Sequence, residues 1–236
     1  MVRIGCAGWS IGSRDADLFG DGPSALARYA SRFDLMEINS SFHRDHRRDT
    51  YARWADSVPP GFRFSIKLPR AITQDARLVG CGAQLDTFFA AADGLGGRLD
   101  CVLVQLPPSL DFDARTAGTF FRMLARRWHG RVACEPRHAG WLTPRADALL
   151  ARHGVARVAA DPARHGDDAR PGGDLRFAYW RWHGAPKIYY SAYDAHALDA
   201  IARAVDAGPA DACVVFDNTA AGHAVRNAAD LQARLG

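Results

Sequence analysis

Short apolar runs recur along the chain, and each ends in polar residues that precede a loop and then a stretch with helical spacing. Such a run predicts a buried strand, and apolar residues three and four positions apart predict a helix that packs on it. The runs that predict strands are Arg3–Trp9, Leu35–Ser41, Arg63–Pro69, Asp100–Pro107, Arg131–Arg137, Val155–Asp161, Phe177–Gly184 and Ala212–Asn218.

Helical patterns lie between these runs. They cover Pro23–Phe33, Tyr51–Val58, Ala83–Leu95, Ala114–Trp128, Arg145–His153, Ala195–Ala207 and Ala221–Leu235. Ser24 and Asp113 are predicted caps, and Pro144 suits a first helical position. Strands that alternate with helices pair in parallel, which gives an α/β fold. Eight such units in 236 residues predict a TIM (β/α)8 barrel that forms a single domain over residues 1–236.

One unit departs from the alternation. Residues 162–175 are rich in Gly, Pro and charged residues and have no apolar helical stripe. We therefore expect a mobile loop in place of the helix between the sixth and seventh strands.

Polar residues interrupt the predicted strands near their carboxyl ends. Residues two apart share one face of a strand, as Glu37 and Asn39, or Ser65 and Lys67, do. A charged side chain under a helix is costly, whereas the inward face at the carboxyl end of a barrel opens to solvent and ligand. Active sites of this fold lie there.

These strand ends and the loops beside them supply the candidate residues. The candidate catalytic residues are Glu37, Lys67, Glu135, His138, Asp161, His183 and Asp217. The candidate ligand-binding residues are Trp9, Asn39, Gln105, Arg137, Trp141, Arg181, Tyr189 and Asn218.

Charge composition changes this picture only at one residue. The chain has 30 basic and 26 acidic residues and a net charge of +4, but the two signs are interleaved, so nucleic acid is not a predicted partner. All the basic residues except Lys67 and Lys187 are arginines, as a coding bias toward G and C produces. A lysine kept at the inward position 67 is therefore informative, because a buried ammonium shifts its pKa more readily than a guanidinium.

The cysteines predict a reducing compartment. Their number is odd, no C-x-x-C pair occurs, and Cys6, Cys101, Cys134 and Cys213 lie in apolar runs. With Cys81, they are expected to be buried, reduced thiols. The amino terminus has no signal-peptide core and no run approaches the roughly 20 apolar residues that cross a bilayer. We expect a cytoplasmic protein without a membrane contact, and the sequence does not identify protein partners.

Motifs in nearly every strand resemble the domain-of-unknown-function-72, or YecE-like, family. They are Cys6-Ala7-Gly8-Trp9, Glu37-Ile38-Asn39-Ser40-Ser41-Phe42, Phe64-Ser65-Ile66-Lys67-Leu68-Pro69, Gln105-Leu106-Pro107-Pro108, Cys134-Glu135-Pro136-Arg137-His138, Arg181-Trp182-His183-Gly184 and Phe216-Asp217-Asn218-Thr219 with Asn227-Ala228. The resemblance spans the chain from the first strand to the last helix. It implies a TIM barrel and supplies no activity.

The chain departs from the family pattern at two places. Phe42-His43 stands where the family usually has Phe-Tyr, and the proline that follows is absent from Arg44-Asp45-His46-Arg47. Ile72-Thr73-Gln74 stands where the family tends to have Ile-Thr-His. The resemblance therefore gives no histidine role at position 74.

The first hypothesis is an acid–base enzyme, or a pocket, for a small anionic or polyhydroxylated ligand. Arg137, Arg181 and Lys67 would hold a phosphate or carboxylate. Glu135 or Glu37 would be the base and His183 or His138 the proton donor or acceptor. Asn218 and Gln105 would orient polar groups, while Trp9, Trp141 and Tyr189 would line the pocket. This hypothesis needs no cofactor.

The second hypothesis is a hydrolase or isomerase that depends on a divalent metal and acts on a phosphodiester or a sugar. Glu37, Glu135, Asp161, Asp217 and either His138 or His183 would be the ligands. No H-x-H or H-E-x-x-H spacing occurs, and the cations at the same barrel end would repel a metal ion. We rank this hypothesis second.

Two further alternatives stay open. The polar residues would form a structural ion-pair network, although buried ion pairs are poor stabilisers and a core needs none. A nucleic-acid module would use the aromatic residues around Arg181, but Trp180 and Trp182 are expected on the opposite strand face, under helices. The G-x-S-x-G string at Gly8–Gly12 precedes a polar loop rather than a helix, so Ser10 is not taken as a nucleophile.

Overall fold

Parallel strands and helices alternate along the chain, and a computed structural model describes them for residues 1–163 and 165–236. Within these residues the strands are β1 Val2–Ala7, β2 Leu35–Ile38, β3 Arg63–Lys67, β4 Leu99–Gln105, β5 Arg131–Glu135, β6 Val155–Arg157, β7 Ala159–Asp161, β8 Gly172–Gly173, β9 Ala178–Trp182 and β10 Ala212–Phe216. Each predicted strand is present at its predicted place.

The sheet closes on itself through the sixth predicted strand. Its order is β7-β9-β10-β1-β2-β3-β4-β5-β6-β8, and β6 and β7 are separated by Val158 alone. The first half, β6, pairs in parallel with β5, and the second half, β7, pairs in parallel with β9. The Val158 amide donates to the Cys134 carbonyl at 2.8 Å, so the pairing with β5 continues through the junction. The predicted TIM-type barrel is confirmed.

Seven α-helices lie within the described residues and cover the barrel. They are α1 Ala25–Tyr29, α2 Arg48–Asp56, α3 Gly82–Ala92, α4 Ala114–Ala125, α5 Pro144–Arg152, α6 Ala195–Asp206 and α7 Ala224–Leu235. The predicted caps are confirmed, because Ser24 Oγ accepts from Ala27 N at 3.1 Å and Asp113 Oδ1 accepts from Thr116 N at 2.7 Å. Pro144 is the first residue of α5.

A non-α segment replaces the helix of the sixth unit, as predicted. After β7 the chain forms a short 3-10 helix, Gly166–Ala169, and then β8. Strand β8 pairs antiparallel with β6, whereas β9 pairs with β7. Arg164, within the predicted loop, lies outside the described residues, and the mobility of the segment stays a prediction.

Two layers of apolar side chains hold the barrel. The inner layer is small and includes Leu35, Leu103, Ala133, Tyr179 and Val215. The outer layer lies between strands and helices and contains most of the aromatic residues. All five cysteines are buried and free, as expected for reduced thiols.

One tyrosine hydroxyl joins β1 to β2 where the strands approach closely. A Cβ on Gly5 would lie 2.0 Å from the Leu35 carbonyl oxygen, so only glycine fits there. The fully buried Tyr29 hydroxyl accepts from the Cys6 amide at 2.8 Å and donates to the Leu35 carbonyl at 3.0 Å. Helix α1 thereby satisfies two backbone groups of the sheet.

We expect Tyr29→Phe to lower the free energy of unfolding by about 1–3 kcal/mol, because it leaves the Cys6 amide and the Leu35 carbonyl buried without a partner. Urea denaturation measures the change. Tyr190→Phe is the control, since Tyr190 is half exposed. An equal effect of the two substitutions would show that the hydroxyl bridge is not what matters.

Candidate functional site

The inward face of the barrel changes from apolar to polar along the strands. The successive inward residues are Leu35 and Glu37 in β2, Leu103 and Gln105 in β4, Ala133 and Glu135 in β5, and Tyr179 and Arg181 in β9. Because side chains alternate across a strand, one apolar layer at the amino side is followed by a polar layer at the carboxyl side. The strand period therefore concentrates the charges at the end where the βα loops meet.

Arg181 lies at the centre of this polar layer and is completely buried. Its Nε and Nη2 donate to the two oxygens of Glu37 at 3.0 and 2.7 Å. Its Nη1 donates to Glu135 Oε2 at 2.6 Å, and Nη2 also donates to Asp217 Oδ2 at 2.9 Å. One guanidinium thus holds carboxylates that come from β2, β5 and the end of β10.

Glu37 is also contacted from the amino side of the barrel. The Tyr179 hydroxyl donates to Glu37 Oε2 at 2.8 Å and lies within hydrogen-bond distance of Ser65 Oγ, also at 2.8 Å. Both oxygens of Glu37 are therefore occupied and the side chain is fully buried. This environment suits a residue that positions Arg181, rather than the base that the sequence-based hypothesis made of it.

Glu135 accepts from the largest group of donors. Gln105 Nε2 lies 3.0 Å from each of its oxygens, and Arg137 Nε donates to Oε1 at 3.1 Å. Burial by itself raises the pKa of Glu135, but Arg181, Arg137 and His183 outweigh burial and hold that pKa well below its usual range. Glu135 is therefore an ionised carboxylate at neutral pH.

His183 bridges two carboxylates. Its Nδ1 lies 3.0 Å from Asp217 Oδ2, within hydrogen-bond distance. Its Nε2 lies 3.4 Å from Glu135 Oε1, a close ion-pair contact that lacks hydrogen-bond geometry and leaves this buried nitrogen without a hydrogen bond. Burial lowers the pKa of His183, but Asp217 and Glu135 raise it by more, so the net shift is upward. The imidazolium is thus favoured beside anions whose own pKa values are lowered.

Lys67 is the cation of the polar layer that has no ion-pair partner among the described residues. It is 6% exposed, and its Nζ lies 4.1 Å from the centre of the Phe42 ring. Burial and the nearby Arg181 lower its pKa to about 8, against the opposite effect of Glu37, Glu135 and Asp217. Ser41 Oγ contacts the Lys67 carbonyl oxygen at 2.7 Å and so fixes the end of β3.

Arg137 and Tyr189 cover the Glu135 and His183 side of the layer. Arg137 Nη2 donates to the Tyr189 hydroxyl at 3.3 Å, and the Tyr189 ring lies 5.6 Å from that of His183. Tyr189 has a left-handed backbone, with φ of 70°, a strained conformation for a residue with a bulky side chain. The cavity beneath has a volume of about 10 Å³, which suits about one water.

Four predicted site residues are turned away from the Arg181 cluster. Asp161 accepts from the Tyr193 hydroxyl at 2.6 Å, and His138 Nδ1 accepts from the Gly140 amide at 3.1 Å at the rim. Trp141 is 1% exposed and donates to the Leu110 carbonyl, so it offers no face to a ligand. Asn218 Nδ2 donates to the Ser191 carbonyl and to Asn227 Oδ1, which ties β10 to α7.

The remaining two predicted residues lie between these extremes. Trp9 is partly buried and packs edge-on against Trp54, with ring centres 5.1 Å apart. Asn39 is also partly buried, at the end of β2, and its Oδ1 is buried without a partner. A ligand hydroxyl or amide would satisfy that oxygen.

Sequence reasoning missed three residues that shape the site. Tyr179 lies two residues before Arg181 on the inward face, so strand alternation was a sufficient signal for it. Phe42 follows the second strand and Gln74 follows the third, and no pattern in the sequence predicts the contacts of either side chain. Gln74 lies in a π-helical turn, Ala71–Asp75, and its Nε2 donates to the Gln105 carbonyl at 3.1 Å.

The donor set does not suit a metal ion. Three of the proposed ligands, Glu37, Glu135 and Asp217, each accept from Arg181, and the fourth carboxylate, Asp161, contacts Tyr193 instead. Across residues 1–163 and 165–236, no group of three or more His, Cys, Asp or Glu side chains is arranged to hold a metal. We therefore derive no chemistry through one.

A family model described as protein of unknown function DUF72 matches residues 3–236. The chain belongs to the DUF72 family. The UPF0759 protein YecE of Escherichia coli is 28% identical over 107 residues, which are 45% of this DUF72 chain and 38% of YecE. The sequence match therefore spans less than half the length of that curated relative.

Solved DUF72 structures share the fold of this chain over its whole length. A DUF72 family protein from Enterococcus faecalis has a TM-score of 0.84 at 20% identity, covering 100% of this chain and 95% of the other. One from Thermotoga maritima has a TM-score of 0.80 at 20% identity, covering 100% and 99%. At this identity the likeness shows the fold.

In the part of this DUF72 chain that the structure describes, no helix has the length and apolar character that crossing a bilayer requires.

We expect Arg181→Ala to lower the free energy of unfolding by about 3–5 kcal/mol, because three buried carboxylates lose their shared cation. Denaturant unfolding near neutral pH measures the loss. Arg48→Ala removes an ion pair with Asp93 in which both side chains are largely exposed, so its effect is expected to be much smaller. Comparable losses for the two variants would argue against a central role for Arg181.

Proposed function

We propose that this DUF72 chain is an enzyme that carries out general acid–base chemistry on a small anionic or polyhydroxylated molecule at the carboxyl end of the barrel. The observation that carries the proposal is the division of roles among the charges. Arg181 takes up the carboxylates, while in the described residues His183 Nε2 makes no hydrogen bond and Lys67 Nζ makes no ion pair.

Acid–base chemistry is supported by neighbouring groups whose pKa values are shifted in opposite directions. The pKa of His183 is raised by Asp217 and Glu135 against the effect of burial, and the pKa of each of these carboxyls is lowered. Enzymes obtain an acid and a base at one pH from environments that separate pKa values in this way. His183 would be the proton donor and, once deprotonated, the acceptor.

Positive charge at the carboxyl end of the barrel supports an anionic substrate. Arg181 has no exposed surface, so the anion would contact Arg137 and Lys67, which differs from the role first considered for Arg181. Arg137 retains donors beyond its contacts with Glu135 and Tyr189, and a guanidinium pairs well with phosphate or carboxylate. The unpartnered Asn39 Oδ1 favours a ligand with hydroxyl groups.

Two other features bear on the proposal. Trp180 and Trp182 are buried and stacked on each other with ring centres 5.7 Å apart, which does not favour stacking on nucleic-acid bases. The buried free cysteines support a reducing compartment, and we propose the cytoplasm.

We expect the protein to bind at least one member of a panel of inorganic phosphate, sugar phosphates and hydroxy acids, and to exchange a carbon-bound hydrogen of an organic member with solvent deuterium. Calorimetry measures binding, and proton NMR in D2O measures exchange. Arg137→Leu should weaken binding at least about tenfold, a cost of about 1.4 kcal/mol. His183→Gln should slow exchange by about 100-fold or more.

Arg176→Leu is the matched control, because Arg176 is an exposed arginine at the amino side of the barrel, paired with Asp174. It should bind and exchange as the unaltered protein does. The proposal is wrong if the protein neither binds nor exchanges any panel member, or if Arg137→Leu and His183→Gln behave like the control.

A further inference from the structure

The two lysines of the chain make similar ring contacts in different surroundings. Lys67 Nζ lies 4.1 Å from the Phe42 ring centre, and Lys187 Nζ lies 4.2 Å from the Tyr190 ring centre. Lys67 is 6% exposed within the polar layer, whereas Lys187 is exposed in the loop after β9. A comparison of Lys67 with Lys187 therefore shows how burial beside Arg181 affects a lysine amine.

The carboxylates near Lys67 are occupied by another cation. Glu37, Glu135 and Asp217 all accept from Arg181, and no carboxylate of the described residues lies within ion-pair distance of Lys67 Nζ. An ammonium that is desolvated next to a second cation loses its proton more easily, which is how lysine nucleophiles are activated. With a pKa of about 8, about a tenth of Lys67 is the free amine at pH 7.

From this geometry we infer that Lys67 forms an imine with the carbonyl group of the substrate, which is therefore a small aldehyde or ketone with an anionic group. The inference rests on the acid–base function proposed above and deepens it. A lone unpaired amine, a buried proton donor at His183 Nε2 and a guanidinium at Arg137 are the parts such a reaction needs.

The step balances without an oxidant or a further reactant. The lone pair of the Lys67 amine attacks the carbonyl carbon, and a proton passes from nitrogen to the carbonyl oxygen to give a carbinolamine. The carbinolamine hydroxyl leaves as water with a proton from His183 as the C=N bond forms, which leaves a protonated imine on Lys67 and a neutral His183. Addition of water reverses the sequence and frees Lys67.

The surroundings of Lys67 suit this step. The Phe42 ring covers one side of Nζ at 4.1 Å from the ring centre. Ser41 Oγ contacts the carbonyl oxygens of Ile38 and Lys67 at 3.0 and 2.7 Å and so ties the ends of β2 and β3 together. A protonated imine withdraws electrons from the adjacent C–H bond. The proton exchange of the proposed function would occur at that carbon.

Trapping with sodium borohydride tests the inference. The protein is incubated at pH 7 with pyruvate, dihydroxyacetone phosphate or glyceraldehyde 3-phosphate, reduced, digested and analysed by mass spectrometry. We expect a reduced adduct on Lys67 at least about tenfold more abundant than on Lys187 with at least one probe, since the reactive form is the free amine. Lys67→Arg should lose that adduct, and Lys187→Arg should keep it.

Each outcome bears on the inference. An adduct ratio near one, or no adduct on Lys67 with any of the three probes, overturns it, and this readout needs no variant that has to fold. If Lys67 is unlabelled but deuterium exchange persists and depends on His183, imine formation is wrong and the acid–base function stands. If neither labelling nor exchange occurs, both are wrong.

Discussion

The contact between Arg181 and three carboxylates is the constraint on which the polar end of the barrel depends. A buried guanidinium is costly unless its donors are matched, and here Glu37, Glu135 and Asp217 match them from three separate strands. Because those acids are engaged, Lys67 is left unpaired and His183 is held between anions. A structural network alone would not require either feature.

The barrel architecture and the polar layer could be predicted from the sequence, because both follow from the regular spacing of apolar and polar residues in strands and helices. Strand alternation predicted that Glu37, Glu135 and Arg181 face inward, and all three do. The hydrogen-bond partners of the polar side chains could not be predicted in the same way. Asp161 and Asp217 both end strands, yet Asp217 reaches Arg181 whereas Asp161 turns to Tyr193, because the choice depends on strand register and on a loop that is remote in sequence. The burial of Trp141 under the β4 loop is likewise a tertiary property.

The overall composition says little about the site, and the residue that departs from it, Lys67, says most. The net charge of +4 does not describe the site, since most arginines lie on the outside of the barrel or pair with neighbouring acids. The DUF72 family supplies a fold and no reaction, so the chemistry has to come from individual environments. The environment of Lys67 differs from that of Lys187 in burial and in the proximity of Arg181, and this difference links the ion-pair cluster to catalysis.

The central claim is that Arg181 leaves Lys67 an unpaired, desolvated amine, and NMR titration of lysine labelled with 13C at Cε tests it most directly. The chain has two lysines, so Lys67→Met assigns both signals. We predict that the Lys67 signal titrates at about pH 8. A midpoint at the ordinary lysine value of about 10.4 or above would contradict the account, because it would show that burial and the nearby Arg181 do not favour the free amine.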